Sequence, residues 1–269
     1  MRAKFHVGLA LVLALLSSPT AHAADTFSGN TKTALASLTI ADEVRAGYDR
    51  DLFKHWVDVD GDRCNARYEV LIAEAVKRPR IGSGCTLSGG RWVSAYDGVQ
   101  TTQTNALDID HVVPLAEAWD SGAYAWSAAT REAFANDLDD PRSLIAVTAR
   151  SNRQKSDQDP AEWLPARGRC TYIVNWIAVK VRWQLSVDPS EQQALSALID
   201  ECGLTSIRVR IAAITYGEAP ASEPSVDAIT DPVKPGAFCA PRGAVGYSTK
   251  GVEYTCKPSD TETRNRWRR

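Results

Sequence analysis

The chain has 269 residues, 44% of them apolar, and a formal net charge of −2. That length permits one sizeable domain with a small appendage, and the charge balance offers no general attraction to a polyanion. Past the first residues no stretch approaches the roughly 18 apolar residues of a membrane-spanning helix, which excludes that class and leaves a soluble protein without a membrane anchor.

Residues 1–23 read as a secretory signal peptide. Arg2 and Lys4 form a basic start, Val7 to Leu16 is an apolar run, and Ala21, His22 and Ala23 give a small-x-small cleavage site. The expected location is therefore secreted and extracellular. Loss of Arg2 and Lys4 shifts the net charge to about −4. It also leaves only two histidines, His55 and His111. All six cysteines (Cys64, Cys85, Cys170, Cys202, Cys239 and Cys256) lie in the exported part. An even count in an oxidising compartment favours three disulfides. Pairing of sequence neighbours fits the organisation best: Cys64–Cys85, Cys170–Cys202 and Cys239–Cys256. None of the spacings is C-x-x-C, which argues against structural zinc.

Residues 24–30 read as disordered. Thr33 to Val44 has helical spacing, and Arg50 to Trp56 leads into a carboxylate-rich turn, Asp58, Asp60 and Asp62. Asn65 to Lys77 reads as a helix with Val70, Leu71, Ala73 and Ala75 apolar. Arg91 to Tyr96 alternates like a strand. Leu107 to Leu115 is a second strand, and Ala116 to Ala135 is helical except at Asp120, Ser121 and Gly122. Leu144 to Thr148 is a short apolar strand. Ser151 can cap a helix starting at Asn152, and Pro160 restarts a helix through Trp163. Tyr172 to Leu185 is a strongly apolar helix. Asp188, Pro189 and Glu191 give a capping signature for another, through Ile199. A Cys170–Cys202 bridge would clip that hairpin, worth about 3 kcal/mol or more. Residues 24–215 thus form the main domain, 216–237 a Pro-rich linker, and 238–269 a small disulfide-clipped β module.

From Arg142 to Arg182 there are eight basic residues (Arg142, Arg150, Arg153, Lys155, Arg167, Arg169, Lys180, Arg182) against three acidic ones (Asp157, Asp159, Glu162). Such a stretch can form a locally positive face that attracts phosphate; the plainer reading is a set of solvated helix faces.

The centre of this organisation carries the chemistry. Asp108, Asp110, His111 and Pro114 lie on or just after a strand, and Asn152, Arg153, Lys155 and Asp157 on the helix after the next strand. Phosphodiester hydrolysis needs a base to deprotonate water, a cation for the developing charge, and a group that orients the phosphate. His111 suits the first because neutral imidazole titrates near working pH. Asp110 and Asn152 offer hard oxygen ligands that favour Mg²⁺, with Mn²⁺, Ca²⁺ or Zn²⁺ as alternatives. Neighbouring strand residues point to opposite faces, so Asp110 and His111 share a site only if the backbone bends there.

These residues resemble the HNH (ββα-metal) nucleases, a two-stranded ribbon and a helix around one ion. The resemblance implies Asp110 as metal ligand, His111 as general base, Asn152 as second ligand and Lys155 as a phosphate or helix-stabilising contact. Arg150, Arg153 and Lys155 are expected to position the nucleic-acid backbone. Asn152-Arg153-x-Lys155-Ser156-Asp157 also looks like the HNH domain of RNA-guided nucleases. Across residues 42–210 the chain is similar to secreted HNH endonuclease-like proteins of Gram-positive bacteria, related to the nuclease end of GmrSD-type restriction enzymes. The shared pattern includes Trp56-x-Asp58-x-Asp60-Gly61-Asp62, Asp108-x-Asp110-His111, Ala118-Trp119-x-Ser121-Gly122, Asn136-Asp137 and Asp159-Pro160-x-x-Trp163. Ser143 stands nearest to the place where HNH domains carry an Asn that orients the histidine, so Asn136 and Ser143 are both candidates, with Asp108 a third polar neighbour.

The expected architecture is α+β, a ββα-metal (HNH-like) core embedded in a helix-rich, disulfide-stabilised domain with a small C-terminal β module. The expected function is a secreted, metal-dependent endonuclease of low sequence specificity, acting on DNA or RNA as a monomer. The alternative is a catalytically inactive nucleic-acid- or cell-wall-binding protein on the same fold; wall association is suggested by the position of the C-terminal module alone. The Asp58, Asp60 and Asp62 turn resembles the start of a calcium loop, but no terminal Glu follows at the required distance, and a structural turn is the plainer reading. Trp119, Trp163, Trp176 and Trp183 are expected in the core, and His55 in packing or on the surface.

Overall fold

The computed structural model describes residues 25–217, 232–237, 239, 244–259 and 262–269. The expected signal peptide and most of the expected linker lie outside the described residues. In chain order the elements are β1 (Thr26–Asn30), α1 (Thr31–Ala36), α2 (Ala66–Ala73), β2 (Arg80–Ile81), β3 (Leu87–Ser88), β4 (Trp92–Val93), β5 (Gln100–Thr101), β6 (Leu107–His111), α3 (Leu115–Asp120), α4 (Ala128–Ala135), β7 (Leu144–Thr148), α5 (Ala149–Lys155), α6 (Arg169–Arg182), α7 (Pro189–Cys202), β8 (Ser206–Arg210), β9 (Val245–Tyr247), β10 (Glu253–Ser259) and β11 (Glu262–Arg268). Strands pair antiparallel as β1 with β8, β2 with β3, β4 with β5 and β6 with β7, and as a three-stranded sheet β11-β10-β9. Helices and small separate sheets make this an α+β fold.

Local chemistry sets most helix starts. Asp188 accepts from the Ser190 N–H at 2.7 Å, and Pro189 occupies the first turn of α7, where its missing N–H costs nothing. Asn65 caps α2 through the Tyr68 N–H. Gly168 opens α6 at φ 67°, in the left-handed region that glycine enters freely, and an added Cβ would meet the Ala95 carbonyl at 3.1 Å.

The main core surrounds α6, whose Trp176 and Ile177 are fully buried, with Phe53, Ala118, Phe134, Val147 and Leu195 in the same cluster. Trp119, Trp176 and Trp183 are buried in it and Trp163 packs against it. A second cluster lies under the β6–β7 ribbon, where Leu107, Ile109, Leu144 and Ala146 meet Val70, Leu71 and Trp92. Burying each such side chain contributes about 1.5–3 kcal/mol, so the ribbon is held on both faces.

All three expected disulfides are present: Cys64–Cys85, Cys170–Cys202 and Cys239–Cys256, with Cα–Cα distances of 5.1, 5.6 and 5.7 Å. The second ties the start of α6 to the end of α7. The third clips the sheet of β9, β10 and β11, the expected C-terminal β module.

Several expectations are corrected. Residues 26–30 form β1, because they pair with β8 from Thr26↔Arg210 to Asn30↔Ser206; a partner so distant leaves no local signal. The helix expected from Thr33 to Val44 ends at Ala36, where Ser37 turns its hydroxyl back to the Ala34 carbonyl. Thr148, rather than Ser151, caps α5 by accepting from the Ser151 N–H at 3.2 Å. Pro160 to Trp163 is a turn rather than a helix, its N–H groups at Ala161 and Glu162 taken by the Asp159 carboxylate. Of the strand expected at Arg91–Tyr96, Trp92 and Val93 pair with β5 and Arg91 bridges Lys77, while Ser94 to Tyr96 leave the strand.

Candidate active site

The site is built on the ribbon and the helix that follows it. β6 and β7 pair from Leu107↔Thr148 to His111↔Leu144, and α5 begins at the next residue, Ala149. Alternation places Leu107 and Ile109 on the face packed against α2, and Asp108 and Asp110 on the face toward α5. His111 is the last strand residue. A cleft of about 440 Å³ lies at this strand end and is lined by Asp110, His111, Asn152 and Arg153, together with Tyr48 and Arg50. The cleft wraps the end of the strand, so residues of opposite alternation both reach it.

His111 is buried and held on three sides. Its Nε2 meets the Ala135 carbonyl at 2.9 Å. Only a protonated Nε2 can donate there, so the neutral ring keeps its lone pair on Nδ1. Among the described residues no hydrogen-bond partner occupies Nδ1, and it is not among the fully enclosed polar atoms. One ring face stacks on Phe134 at 6.4 Å between centroids, and the Trp56 indole lies 5.6 Å away at 36°. Burial pushes the His111 pKa down to about 3; the Ala135 carbonyl opposes this, while the charges of Arg50, His55 and Lys155 add to it.

Two adjacent residues at the end of α4 organise this arrangement. Ala135 supplies the carbonyl. Asn136 accepts from the Val57 N–H at 2.8 Å and donates to the Lys54 carbonyl at 2.8 Å. It thereby brackets His55 and Trp56, the latter at an unfavourable φ of 61° for a bulky residue. Asn136 reaches the histidine through this bracket, not by direct contact. Ser143 does not reach it. Its hydroxyl donates to Asp137 at 2.7 Å, in a buried network where Arg182 grips the same carboxylate at 2.7 and 2.9 Å.

Asp110 is enclosed as well. Lys155 Nζ lies 2.9 Å from its Oδ1 and 2.9 Å from the His111 carbonyl, and the Tyr96 hydroxyl donates to its Oδ2 at 2.5 Å. Burial raises the Asp110 pKa against the pull of Lys155, and burial lowers that of Lys155 against the pull of Asp110. Lys155 is fully buried, so its ammonium locks Asp110 to the backbone and does not reach a phosphate in solvent, a correction to the sequence expectation. Asn152 is half-buried, and its Nδ2 approaches Asp108 Oδ2 at 3.3 Å. Arg153 is exposed and stands 3.8 Å from the same oxygen. Arg150 is exposed too, but it does not line the cleft.

Asp110 and Asn152 are the oxygen donors beside His111 that the sequence singled out; Asp157, Ser156 and Tyr48 also bring side-chain oxygens to the cleft, with Asp157 paired to Arg45. A carboxylate offers about four acceptor positions, and Lys155 and Tyr96 occupy one on each oxygen, so Asp110 keeps lone pairs. With the Asn152 amide oxygen this is a hard donor set, which fits a Mg²⁺-like ion that retains several waters.

The basic stretch from Arg142 to Arg182 does not make one positive face. Lys155, Lys180 and Arg182 are buried in ion pairs, and Arg142 is paired with Asp140. The Asp58, Asp60 and Asp62 turn is exposed; its carboxylates accept N–H bonds from Gly61, Arg63, Asp62 and Cys64, and it lies outside the His111 cleft. Arg67 donates to the carbonyls of Thr104 and Leu107, anchoring the start of β6.

Sequence reasoning missed Tyr96, Trp56, the Ala135 carbonyl and Arg50 as parts of this site. Trp56 does stand in the motif on which the family resemblance rests, which is the signal that could have found it.

Comparison with known proteins gives three findings. The family model for GmrSD restriction endonucleases, C-terminal domain, matches residues 84–198, a range that contains β6, β7 and α5. A protein of Arthroderma benhamiae described as an uncharacterized secreted protein is 42% identical over 171 residues, covering 62% of this chain and 82% of that protein. No solved structure matches the chain at a significant level.

Proposed function

The chain belongs to the family of the GmrSD restriction endonuclease C-terminal domain, and from that premise we propose that it is a secreted, metal-dependent endonuclease of the HNH type that hydrolyses phosphodiester bonds with little sequence preference. The observation that carries the reading is the His111 ring, fixed by the Ala135 carbonyl with its Nδ1 lone pair at a cleft that Asp110 and Asn152 share. Secretion is supported by the similar Arthroderma benhamiae protein, described as secreted, and by the leader-like start of the sequence. Among the described residues no helix is long and apolar enough to cross a membrane.

In this reading His111 Nδ1 takes a proton from the attacking water as its oxygen bonds to phosphorus and the opposite phosphorus–oxygen bond breaks. Nε2 keeps its proton on Ala135 throughout, so the ring cannot turn away. A neutral ring with a low pKa is ready to accept but is a weak base; the negative phosphate entering the cleft favours the protonated ring and corrects that deficit. Asp110 and Asn152 would hold a divalent ion, Mg²⁺ by donor chemistry, which supplies Lewis-acid stabilisation of the charge on the phosphate and leaving oxygen. Lys155 and Tyr96 hold the Asp110 carboxylate in place. Arg153, at the rim, meets the backbone of DNA or RNA, which carries no sequence information.

A plasmid digestion run in Mg²⁺, Mn²⁺, Ca²⁺, Zn²⁺ and EDTA tests this. The expected result is nicking that EDTA stops and that His111→Ala slows by about 10²–10⁴-fold. Binding to the plasmid without cleavage in every metal would favour the second reading, an inactive nucleic-acid-binding protein, for which the neutralisation of Asp110 by Lys155 is the motive.

A further inference from the structure

We propose that Arg50 is a substrate-contacting residue, the cation that receives a phosphate of the nucleic-acid backbone at the cleft that holds His111. The inference rests on the nuclease reading above and adds to it a contact that lies 61 residues before His111 and outside the matched range 84–198.

Arg50 lines the same cleft as His111, Asp110 and Asn152, and it is exposed. Two of the other cations near the cleft are committed, and the third, Arg153, is exposed at its edge. Lys155 is enclosed against Asp110, Arg45 bridges Asp120 and Asp157, and Arg153 faces Asp108 at 3.8 Å. Among the described residues Arg50 has no carboxylate partner in an ion pair. An exposed guanidinium without a counter-charge, lining a cleft with a candidate base, is the arrangement that takes two oxygens of a phosphate through its planar fork.

The segment that carries it is stiff. Asp49 caps the turn Arg50–Leu52 through the Asp51 N–H at 2.9 Å. Trp119 Nε1 donates to the Ala46 carbonyl at 3.2 Å. The Tyr48 ring sits 6.1 Å from Trp119 and 6.5 Å from Phe53, which is fully buried. The backbone at Arg50 is therefore held in a fixed frame, so phosphate binding orders only the side chain. A strand contacted by both Arg50 and Arg153 would lie at the cleft that His111 lines.

The test uses the full chain with its disulfides intact. Steady-state cleavage of a short fluorescein-labelled DNA duplex in Mg²⁺ is compared for wild type, Arg50→Ala and Arg50→Lys. Anisotropy across a salt series measures binding of the same duplex to His111→Ala and to His111→Ala/Arg50→Ala. The expected result is a KM raised about 10-fold by Arg50→Ala with kcat changed less, and a log–log salt slope of binding shallower by about 1, one phosphate contact fewer. Arg50→Lys should restore the salt slope but only part of the affinity, because the point charge lacks the fork. Unchanged KM and salt slope in Arg50→Ala, with wild type cleaving, would overturn the assignment of Arg50 alone. A wild type that neither binds nor cleaves the duplex or its RNA counterpart would overturn the nuclease reading and this inference together.

Discussion

Among the described residues two lysines are completely enclosed, and they are held in opposite ways. Lys180, in the main core, meets two carboxylates, Glu117 and Glu191, each at 2.7 Å, with the Ser121 hydroxyl at 2.9 Å and the Ser186 carbonyl at 2.8 Å. Lys155, at the floor of the cleft, meets one carboxylate, Asp110, and one carbonyl. Burial lowers both ammonium groups, but the two glutamates outweigh it and leave the Lys180 pKa raised, whereas Asp110 alone does not and the Lys155 pKa stays lowered. Lys180 is the centre of a saturated network that has no stake in what enters the cleft. Lys155–Asp110 is a minimal pair beside open space, and a charge arriving in the cleft shifts its balance.

The largest effect should come from breaking the saturated network. Lys180→Met leaves Glu117 and Glu191 facing each other without a cation, and urea denaturation should show a loss of about 3–5 kcal/mol. Cleavage per folded molecule should be unchanged, since nothing in that network lines the cleft opposite His111. Lys155→Met should cost somewhat less, about 3 kcal/mol, because Tyr96 still satisfies one Asp110 oxygen. It should also abolish cleavage in the molecules that remain folded. A Lys155→Met protein that cleaves normally once corrected for folding would erase the distinction between the two lysines.

A smaller effect sharpens it by pH. His111 titrates at about 3 when folded against 6.5 when unfolded, so below pH 6.5 the unfolded chain binds a proton that the folded chain refuses. Stability is then lost as pH falls from 6.5 toward 3, by about 1 kcal/mol per pH unit from this group. Melting curves of wild type and His111→Ala should therefore converge, or cross in favour of the variant, on acidification. Glu191 acts in the other direction: burial raises its pKa to about 7 despite Lys180, so its contribution is lost as pH rises from its unfolded value through 7. The smallest effect expected is that of Tyr96→Phe. Removing one donor from Asp110 should cost about 1–2 kcal/mol in urea denaturation and slow cleavage modestly, with the His111 geometry intact.

What the sequence made legible was local. The strand Leu144–Thr148 coincides with β7, because five consecutive small or apolar residues between turn signals fit a ribbon buried on both faces. The neighbour pairing of cysteines holds for the same reason, since each bridge closes a short stretch of chain. Asp110, His111 and Asn152 line one cleft because β7 pairs with β6 and runs straight into α5, although α3 and α4 separate the two strands along the chain. Long-range pairing was invisible. β1 finds β8 across the whole domain, and Tyr96, Trp56 and Arg50 reach the ribbon from separate loops with no periodicity to announce them. Charge was misleading in one direction: lysines and arginines between Arg142 and Arg182 read as a solvated or phosphate-seeking face, yet burial turns several of them into internal ties, a property of packing that composition does not carry.

The account depends most on His111 Nδ1 as the base. The direct measurement is the single-turnover cleavage rate of His111→Ala, in Mg²⁺, with and without added imidazole. The predicted result is a rate lower by about 10²–10⁴-fold that free imidazole partly restores, with the fold intact by circular dichroism. A His111→Ala protein that cleaves at the wild-type rate would contradict it.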